Sequence, residues 1–439
     1  MGRVAASEPT LDSQPVKFFR SVLLAALLAS PAGAANWPDF RGPTLDGQAP
    51  AGAKLPTTWS ETSHVSWKTA IPGKGWCTPV IWGDQVWLTT ATPDGKQQSV
   101  YCLDRLTGKV LHEQLLFENA TPAELGNDRN TYASPSPVIE EGRVYVHFGS
   151  YGTACLDTKT FATLWTRRDL PCDHYRGPAS SPVLFGDLLI LTFDGADHQY
   201  LEALSKETGK TVWHRQRGTN YGDLTAAGTP ERDGDMRKAF NTPVFLKGEG
   251  FTWMISPGAK AAWAYDPLTG NEIWSVHWKE HSTASRTVFD KERIYLNTGY
   301  GKSQLWALRL DPQAKGELAE SHVAWTNTKR MPNRCSPVLI GKHLYALSDQ
   351  GVLSCLDTAT GTELWAERLS EIPFSASILA VGDLIYLFDE GGKGIVLRDG
   401  ESLNRVGESQ LDAGLFASPA TDGEALYLRT TTHLYRIAE

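Results

Sequence analysis

The sequence predicts an all-β protein, an eight-bladed β-propeller of four-stranded antiparallel blades that is closed by an N-terminal strand. Three observations predict this fold class. A segment with a turn and a tryptophan recurs along the chain, and strand openings recur eight times at a spacing of about 47 residues, which is within the usual period of a propeller blade. The chain also ends one strand short of a full blade, while a spare strand lies near its beginning.

The composition agrees with this fold class. The 439 residues include 15 Trp and 40 Gly but only 4 Met, which favours a turn-rich β protein over a helical bundle. The net charge is −8 at pH 7. The chain therefore lacks the basic surface of a general nucleic-acid binder, and we expect no nucleic acid as a partner.

Residues 1–35 have the pattern of a secretory signal peptide. Lys17 and Arg20 lead into an apolar run at residues 21–30, and the small residues 32–35 follow as a cleavage site. The apolar run is too short to span a membrane. We therefore expect an exported protein, periplasmic or extracellular, without a transmembrane segment. Because the first cysteine is Cys77, which lies far beyond the apolar run, we also expect no lipid anchor.

The rest of the chain divides into an N-terminal strap, residues 36–62, and the propeller, residues 63–439. The spare strand at residues 65–69 supplies the strand that the last blade lacks, so we expect the ring to close between residues 64–71 and 424–437. Closing the ring in this way removes exposed sheet edges. Seven blades are the alternative if the weak copy near residues 375–410 is irregular.

The recurring segment reads Ala-x-Asp-x-x-Thr-Gly-x-x-x-Trp and is complete at residues 264–274. The Asp carboxylate caps a tight turn, the Gly supplies a positive φ, and the Trp packs against a neighbouring sheet. We predict five such docking tryptophans: Trp165, Trp213, Trp274, Trp325 and Trp365. His112 replaces the tryptophan in the first copy, so we expect the first seam between blades to be weaker than the others.

A second signature, Ser or Thr followed by Pro, opens most innermost strands. It occurs at residues 78–79, 136–137, 181–182, 242–243, 336–337 and 418–419, and looser openings occur near residues 285 and 375. The loops just before these openings converge on the central funnel of a propeller. The candidate ligand-binding residues in these loops are Lys74, Trp76, Arg129, Tyr132, Tyr175, Arg176, Lys238, Arg286 and Arg334.

Converging cations with aromatic side chains suit carboxylates, phosphates or acidic side chains, so a small anionic molecule is one candidate ligand for this funnel. The alternative is a set of solvated loop charges, or of ion pairs with Asp residues on the same rim. A carboxylate within about 4 Å of the guanidinium groups would favour that alternative.

Signals for other chemistry are weak. The acidic residues at 194–197 and 233–235 do not match a calcium loop, and the histidines lack metal-ligand spacing. The chain has no G-x-S-x-G motif and no recognisable pair of glycosidase carboxylates. We therefore predict no metal site and name no catalytic residue.

The repeat resembles the PQQ-like, or quinoprotein-like, propeller family, which includes quinoprotein alcohol dehydrogenases and BamB-type outer-membrane assembly factors. The resemblance covers residues 63–439, and residues 37–43 with Trp59 and Ser60 resemble the leader of exported PQQ-like repeat proteins. Several copies at consistent spacing are strong support for the fold and weak support for a function.

The resemblance leaves two functions open. The dehydrogenases usually carry adjacent cysteines over the cofactor and long insertions with calcium ligands, whereas no two of the six cysteines here are adjacent and no C-x-x-C-H occurs. We therefore favour a non-catalytic BamB-type scaffold for protein partners at the cell envelope, although BamB-type proteins are lipid-anchored. A quinone-dependent oxidoreductase is the alternative, with PQQ implied by the resemblance alone. Because Cys102, Cys155 and Cys355 stand at the small apolar position of the repeat, we expect buried thiols rather than a disulfide framework.

Overall fold

The computed structural model describes residues 1–2, 35–126 and 128–439. The predicted signal peptide lies outside the described residues, apart from its first two residues and Ala35. From residue 35 onward the described chain forms eight antiparallel sheets in succession, each built around four consecutive strands or their equivalent. The predicted eight-bladed propeller is confirmed, and the copy near residues 375–410 is a regular blade.

The first strand of the chain, β1 (Val65–Ala70), belongs to the last blade. The first four blades then follow in chain order. Blade 1 contains β2 (Val80–Trp82), β3 (Gln85–Ala91), β4 (Gln97–Asp104) and β5 (Val110–Glu118); blade 2 contains β6 (Val138–Glu140), β7 (Arg143–His147), β8 (Thr153–Asp157) and β9 (Thr163–Arg167); blade 3 contains β10 (Val183–Phe185), β11 (Leu188–Asp194), β12 (Gln199–Ser205) and β13 (Thr211–Gln216); blade 4 contains β14 (Val244–Gly248), β15 (Phe251–Pro257), β16 (Ala261–Tyr265) and β17 (Glu272–His277).

The second half of the ring repeats this plan. Blade 5 contains β18 (Val288–Phe289), β19 (Arg293–Asn297), β20 (Leu305–Arg309) and, after the short β21 (Gly316–Glu317), β22 (Val323–Asn327); blade 6 contains β23 (Val338–Ile340), β24 (His343–Leu347), β25 (Val352–Asp357) and β26 (Glu363–Arg368); blade 7 contains β27 (Leu379–Val381), β28 (Leu384–Phe388), β29 (Lys393–Arg398) and β30 (Arg405–Gln410); blade 8 contains β31 (Ala420–Thr421), β32 (Ala425–Arg429) and β33 (His433–Ala438). Two 3-10 helices, Glu231–Arg237 and Glu320–His322, lie in connecting loops.

Blade 4 departs from the predicted four strands. The long connection between β20 and β22 sends β21 back to the outer edge of blade 4, where it pairs in parallel with β17, so this blade has five strands. The backbone N–H of Leu318 extends the contact by donating to the carbonyl of Ser275 at 2.7 Å.

The ring closes at the predicted place. Strand β1 pairs antiparallel with β33, with Val65 opposite Ile437 and Ala70 opposite His433. The first strand of the propeller thereby becomes the outermost strand of its last blade. The fold depends on a backbone ladder between the two ends of the propeller sequence.

Tryptophans dock across several seams between blades in the way that the repeat predicts. Trp213 and Trp274 are buried, and the other three predicted docking tryptophans are partly buried. The indole N–H groups donate to turn carbonyls of the following blade: Trp165 to Lys206 at 2.9 Å, Trp213 to Pro267 at 3.2 Å, Trp325 to Thr358 at 3.0 Å and Trp365 to Gly400 at 3.0 Å.

The same contact explains the turn glycine of the repeat. A Cβ at Gly209 or Gly270 would lie 2.7 Å from the indole of the preceding blade, and both residues have φ near +68° (69° and 67°). Trp67 on β1 docks in the same way, with its N–H 3.0 Å from the carbonyl of Arg105 and its ring 2.5 Å from a Cβ at Gly108. Trp67 is thus a further docking tryptophan, at the closing seam.

The seam between blades 1 and 2 uses a different pair. The ring of His112 stacks on Phe161, with centroids 4.6 Å apart and an interplanar angle of 5°. Phe161 stands where other copies have glycine and has φ of +61°. A bulky residue in this left-handed region costs about 1–2 kcal/mol, so the substitution of the docking pair introduces backbone strain at this seam.

We predict that restoring the repeat at this seam stabilises the ring. The double variant His112→Trp with Phe161→Gly should raise the free energy of unfolding by about 1–2 kcal/mol, because it removes the left-handed Phe and buries an indole. His112→Trp alone should lower it, because the indole would collide with the Phe161 ring. Urea unfolding of both variants measures the difference, and a double variant less stable than the parent would contradict this account.

We also predict that the closing seam carries a large share of the stability. Trp67→Ala should lower the free energy of unfolding by about 3–5 kcal/mol, as expected for a truncated buried aromatic residue. Trp82→Ala, at a partly buried tryptophan that docks on no turn glycine, is the matched control and should cost less. Equal losses in thermal or urea melts would show that Trp67 has no special part in closure.

Candidate functional site in the central funnel

The innermost strands begin in a ring of hydrogen bonds between neighbouring blades. At six junctions a backbone N–H donates to the Ser or Thr hydroxyl of the next blade: Thr78 to Ser136, Ser136 to Ser181, Ser181 to Thr242, Arg286 to Ser336 and Ser377 to Ser418, all at 2.9 Å, and Ser336 to Ser377 at 3.0 Å. We call the six accepting side chains the hydroxyl belt. This ring gives a physical reason for the Ser/Thr-Pro openings in the sequence.

The N-terminal strap closes one end of the channel inside the ring. The backbone N–H and C=O of Trp37 pair with Ile81 at 2.9 Å, and the N–H of Ile139 donates to the carbonyl of Pro38 at 3.0 Å. Farther along the strap, Ala49 and Ala380 pair, with the N–H of Ala49 2.7 Å from the carbonyl of Ala380. The strap therefore crosses from blades 1 and 2 to blade 7, and the side chain of Phe40 forms the floor of the remaining cavity.

Two buried charges fasten the strap. Asp39 forms an ion pair with Arg286, and both side chains are almost completely inaccessible. Arg41 donates to the backbone carbonyls of Ile378, Asp46 and Pro337. Burial lowers the pKa of Arg41 to about 10. The predicted funnel residue Arg286 thus binds the strap and does not reach the open end of the channel.

The open end of the channel forms a mouth of about 710 Å³, lined by Arg129, Arg176, Asp235, Phe240, His281, Tyr300, Arg334 and Asp349 among others. Arg129 and Arg334 both bind Glu390, at 2.7 Å and 3.1 Å, and Arg334 also binds Asp349 at 3.0 Å. Burial by itself would lower the pKa of Arg334. The carboxylates of Asp349 and Glu390 outweigh this effect, so the pKa of Arg334 is raised above its ordinary value. The carboxylates that would favour ion pairs on the rim are therefore present.

Arg176 is held differently. Its guanidinium donates to the carbonyl of Gly126 at 2.9 Å and to the hydroxyl of Tyr175 at 3.0 Å, and it lies 4.4 Å from the centroid of the Tyr175 ring. Among the described residues, no carboxylate lies within 4 Å of this group. The mouth therefore combines a network of paired charges with one cation that rests on an aromatic ring.

The structure brings four of the nine candidate funnel residues together. Arg129, Arg176 and Arg334 line the mouth, and Trp76 lies deeper, where it stacks on Phe416 with centroids 4.6 Å apart. The other five candidates lie elsewhere: Lys74, Tyr132, Tyr175, Lys238 and Arg286.

Local packing accounts for these five positions. Lys74 is exposed and its backbone pairs with Ala91. Tyr132 is buried and donates to the carbonyl of Ala123 at 2.8 Å. Lys238 is buried, donates to the carbonyl of Ala239 at 3.1 Å, and has its pKa lowered by burial. Tyr175 supports Arg176 from behind, and Arg286 binds the strap.

Several residues of the mouth were not foreseen from the sequence. Asp349 and Tyr300 line the mouth and Glu390 pairs with its arginines; the three follow the second strands of blades 6, 5 and 7, so the loops after second strands reach the same face of the ring as the loops before innermost strands. Asp235 lies 3.9 Å from the imidazole of His281, and the interaction with His281 lowers the pKa of Asp235. A search of both sets of loops would have found the acidic partners.

The residues present do not fit a calcium-bound quinone. All six cysteines are buried free thiols, dispersed along the chain. In the part of the chain that the structure describes, no group of three or more His, Cys, Asp or Glu side chains is placed to hold a metal ion. Of the two Asp side chains at the mouth, Asp349 is bound to Arg334 and Asp235 lies 3.9 Å from His281. We therefore derive no step through such a group.

Across residues 35–126 and 128–439, no helix has the length and apolar character needed to cross a membrane.

Comparison with known proteins identifies the family. The family model described as outer membrane protein assembly factor BamB matches residues 56–237 and 259–435. A quinoprotein ethanol dehydrogenase of Pseudomonas putida is 31% identical over 163 residues, which are 35% of this chain and 25% of that protein. BamB of Alkalilimnicola ehrlichii is 24% identical over 224 residues, which are 50% of this chain and 51% of that protein.

The chain thus spans a quarter to about half of the length of these relatives. The crystal structure of BamB from Moraxella catarrhalis, at 12% identity, has a TM-score of 0.58 and is matched over 85% of this chain and 99% of that one, which shows a shared fold. Because the family model matches most of the sequence, the chain belongs to the family of the outer membrane protein assembly factor BamB.

Proposed function

We propose that the protein is an exported, non-catalytic scaffold that binds a partner protein at the cell envelope through the mouth of its propeller. The observation that supports this proposal best is the position of Tyr300, which is 61% exposed at the rim of the 710 Å³ mouth. Tyr and Arg are the side chains most often found among the residues that dominate protein interfaces. Here the exposed Tyr300 lines the same mouth as Arg176, which is already oriented by its contact with Tyr175.

The paired charges of the mouth suit a polar partner better than a bare anion. Glu390 accepts from Arg129, Arg334 and Ser375, so its charge is balanced before any partner arrives. A partner that brings its own alternating charges adds to this network without leaving a charge unpaired, and such complementarity gives specificity and orientation. The relatives named as outer membrane protein assembly factors support a protein as the partner.

The alternative is a quinone-dependent oxidoreductase or a binder of a small anionic molecule. The match to a quinoprotein ethanol dehydrogenase supports it. The two proposals differ in a simple test, which is the addition of PQQ and calcium to the protein. An oxidoreductase of this type should gain thermal stability and a changed cofactor spectrum, whereas the scaffold should show neither.

We predict that a photo-crosslinking amino acid at position 300 captures a protein partner in the native host. The matched control is the same amino acid at Leu268, which is 60% exposed on the turn between β16 and β17. One specific adduct should form from position 300, should disappear when Arg176→Glu is added, and should not form from position 268. An adduct that forms from position 268 alone, or that ignores the Arg176 change, would contradict binding at the mouth.

A further inference from the structure

Below the mouth lies a smaller inner cup of about 140 Å³. Its wall includes five of the six belt side chains, and Phe40 of the strap forms its floor; the belt members are Ser136, Ser181, Thr242, Ser377 and Ser418. Arg129, Phe240 and Arg334 line both cavities, so the inner cup opens into the mouth.

The belt side chains face the inner cup with unused hydrogen-bond donors. Each hydroxyl accepts a backbone N–H from the neighbouring blade at 2.9–3.0 Å, which occupies a lone pair and leaves its own proton. Among the described residues, none accepts a hydrogen bond from these five hydroxyls. Buried polar hydrogens without an acceptor are rare in folded proteins, so a bound species that accepts hydrogen bonds is expected there.

The charged side chains that line the inner cup are both arginines, and their partners Glu390 and Asp349 lie outside its lining. Two arginines and no Asp or Glu are among its lining residues, although the whole chain has a net charge of −8. The nearby carboxylate of Glu390 is balanced by Arg129 and Arg334.

A third cation lies beneath the inner cup. Arg41 donates to the carbonyls of Pro337 and Ile378, each of which follows a belt serine directly. Among the described residues, no carboxylate lies within 4 Å of this buried guanidinium. Burial lowers the pKa of Arg41 and the charge of Asp46 raises it, but among the described residues the guanidinium beneath the cup is bound to carbonyls and to no carboxylate.

We propose that the inner cup is a binding site for one compact anion, of the size of a halide or a single carboxylate group. Hydroxyl donors on the wall and Arg41 below the floor favour negative charge, and no carboxylate is among the lining residues. A volume of about 140 Å³ holds such an ion with a few waters, since a water occupies about 30 Å³ of liquid. The site does not depend on the proposed scaffold function, because its hydroxyl donors belong to the belt, whose members do not line the mouth.

The test uses bromide as the probe and the full-length chain. Crystals soaked in bromide should show an anomalous peak within the belt, and the bromide-81 NMR line should broaden in solution when protein is added. Ala284 lines both the mouth and the inner cup, so Ala284→Asp places a negative charge in the wall. It should weaken bromide binding at least tenfold, as expected for like charges a few ångströms apart, while Ala284→Asn, of the same size, should keep it.

Each outcome decides the proposal. Absence of the peak, equal binding by the Asp and Asn variants, or a peak without line broadening, which means an adventitious ion only, would overturn it. Should Ala284→Asp fail to fold by circular dichroism, the same pair of changes at Ala179, which also lines both cavities, replaces it. Displacement of bromide by acetate would identify a carboxylate as the fitting ion, and retention of bromide in acetate would identify a halide.

Discussion

The hydrogen bond from the opening of one blade to the hydroxyl of the next is the interaction on which the ring depends. It occurs at six junctions with nearly constant lengths of 2.9–3.0 Å. Each such bond contributes only about 1 kcal/mol, but together they fix the level at which every innermost strand begins. That level sets the positions of the channel, of the loops around its mouth and of the strap beneath it.

The two junctions without a belt hydrogen bond are joined by other side chains. Between blades 4 and 5 the amide of Asn241 donates to the carbonyl of Ser285 at 2.6 Å, and Arg286, which stands at the belt position, binds Asp39 of the strap. Between blades 8 and 1 the buried guanidinium of Arg429 donates to the carbonyl of Thr89. Departures from the repeat thus occur where the ring has to accommodate its closure or its strap.

The sequence was sufficient for the fold because the repeat is local, and the structure also shows where local reasoning ends. A Trp and a turn glycine on adjacent blades suffice to define a seam. The repeat does not predict the docking of Trp67, because the strand of Trp67 is separated in sequence from the rest of its blade by the whole ring. The pairing of Arg129 with Glu390 joins residues 261 positions apart, through a loop after a second strand. The sequence predicts Arg286 at the funnel, whereas in the structure Arg286 binds Asp39 of the strap. No repeat encodes the path of the strap under the ring, so this contact could not be predicted.

The strap changes what the channel can do. A propeller channel open at both ends would let solvent and ligands pass, whereas here Phe40 and the Asp39–Arg286 pair close one end. A molecule that reaches the hydroxyl belt from the mouth passes Arg129 and Arg334, which line both cavities and are paired with Glu390 and Asp349. Because these ion pairs remain formed when the site is empty, the mouth can exchange its occupant without leaving Arg129 or Arg334 unpaired, which is the behaviour that a reusable binding surface requires.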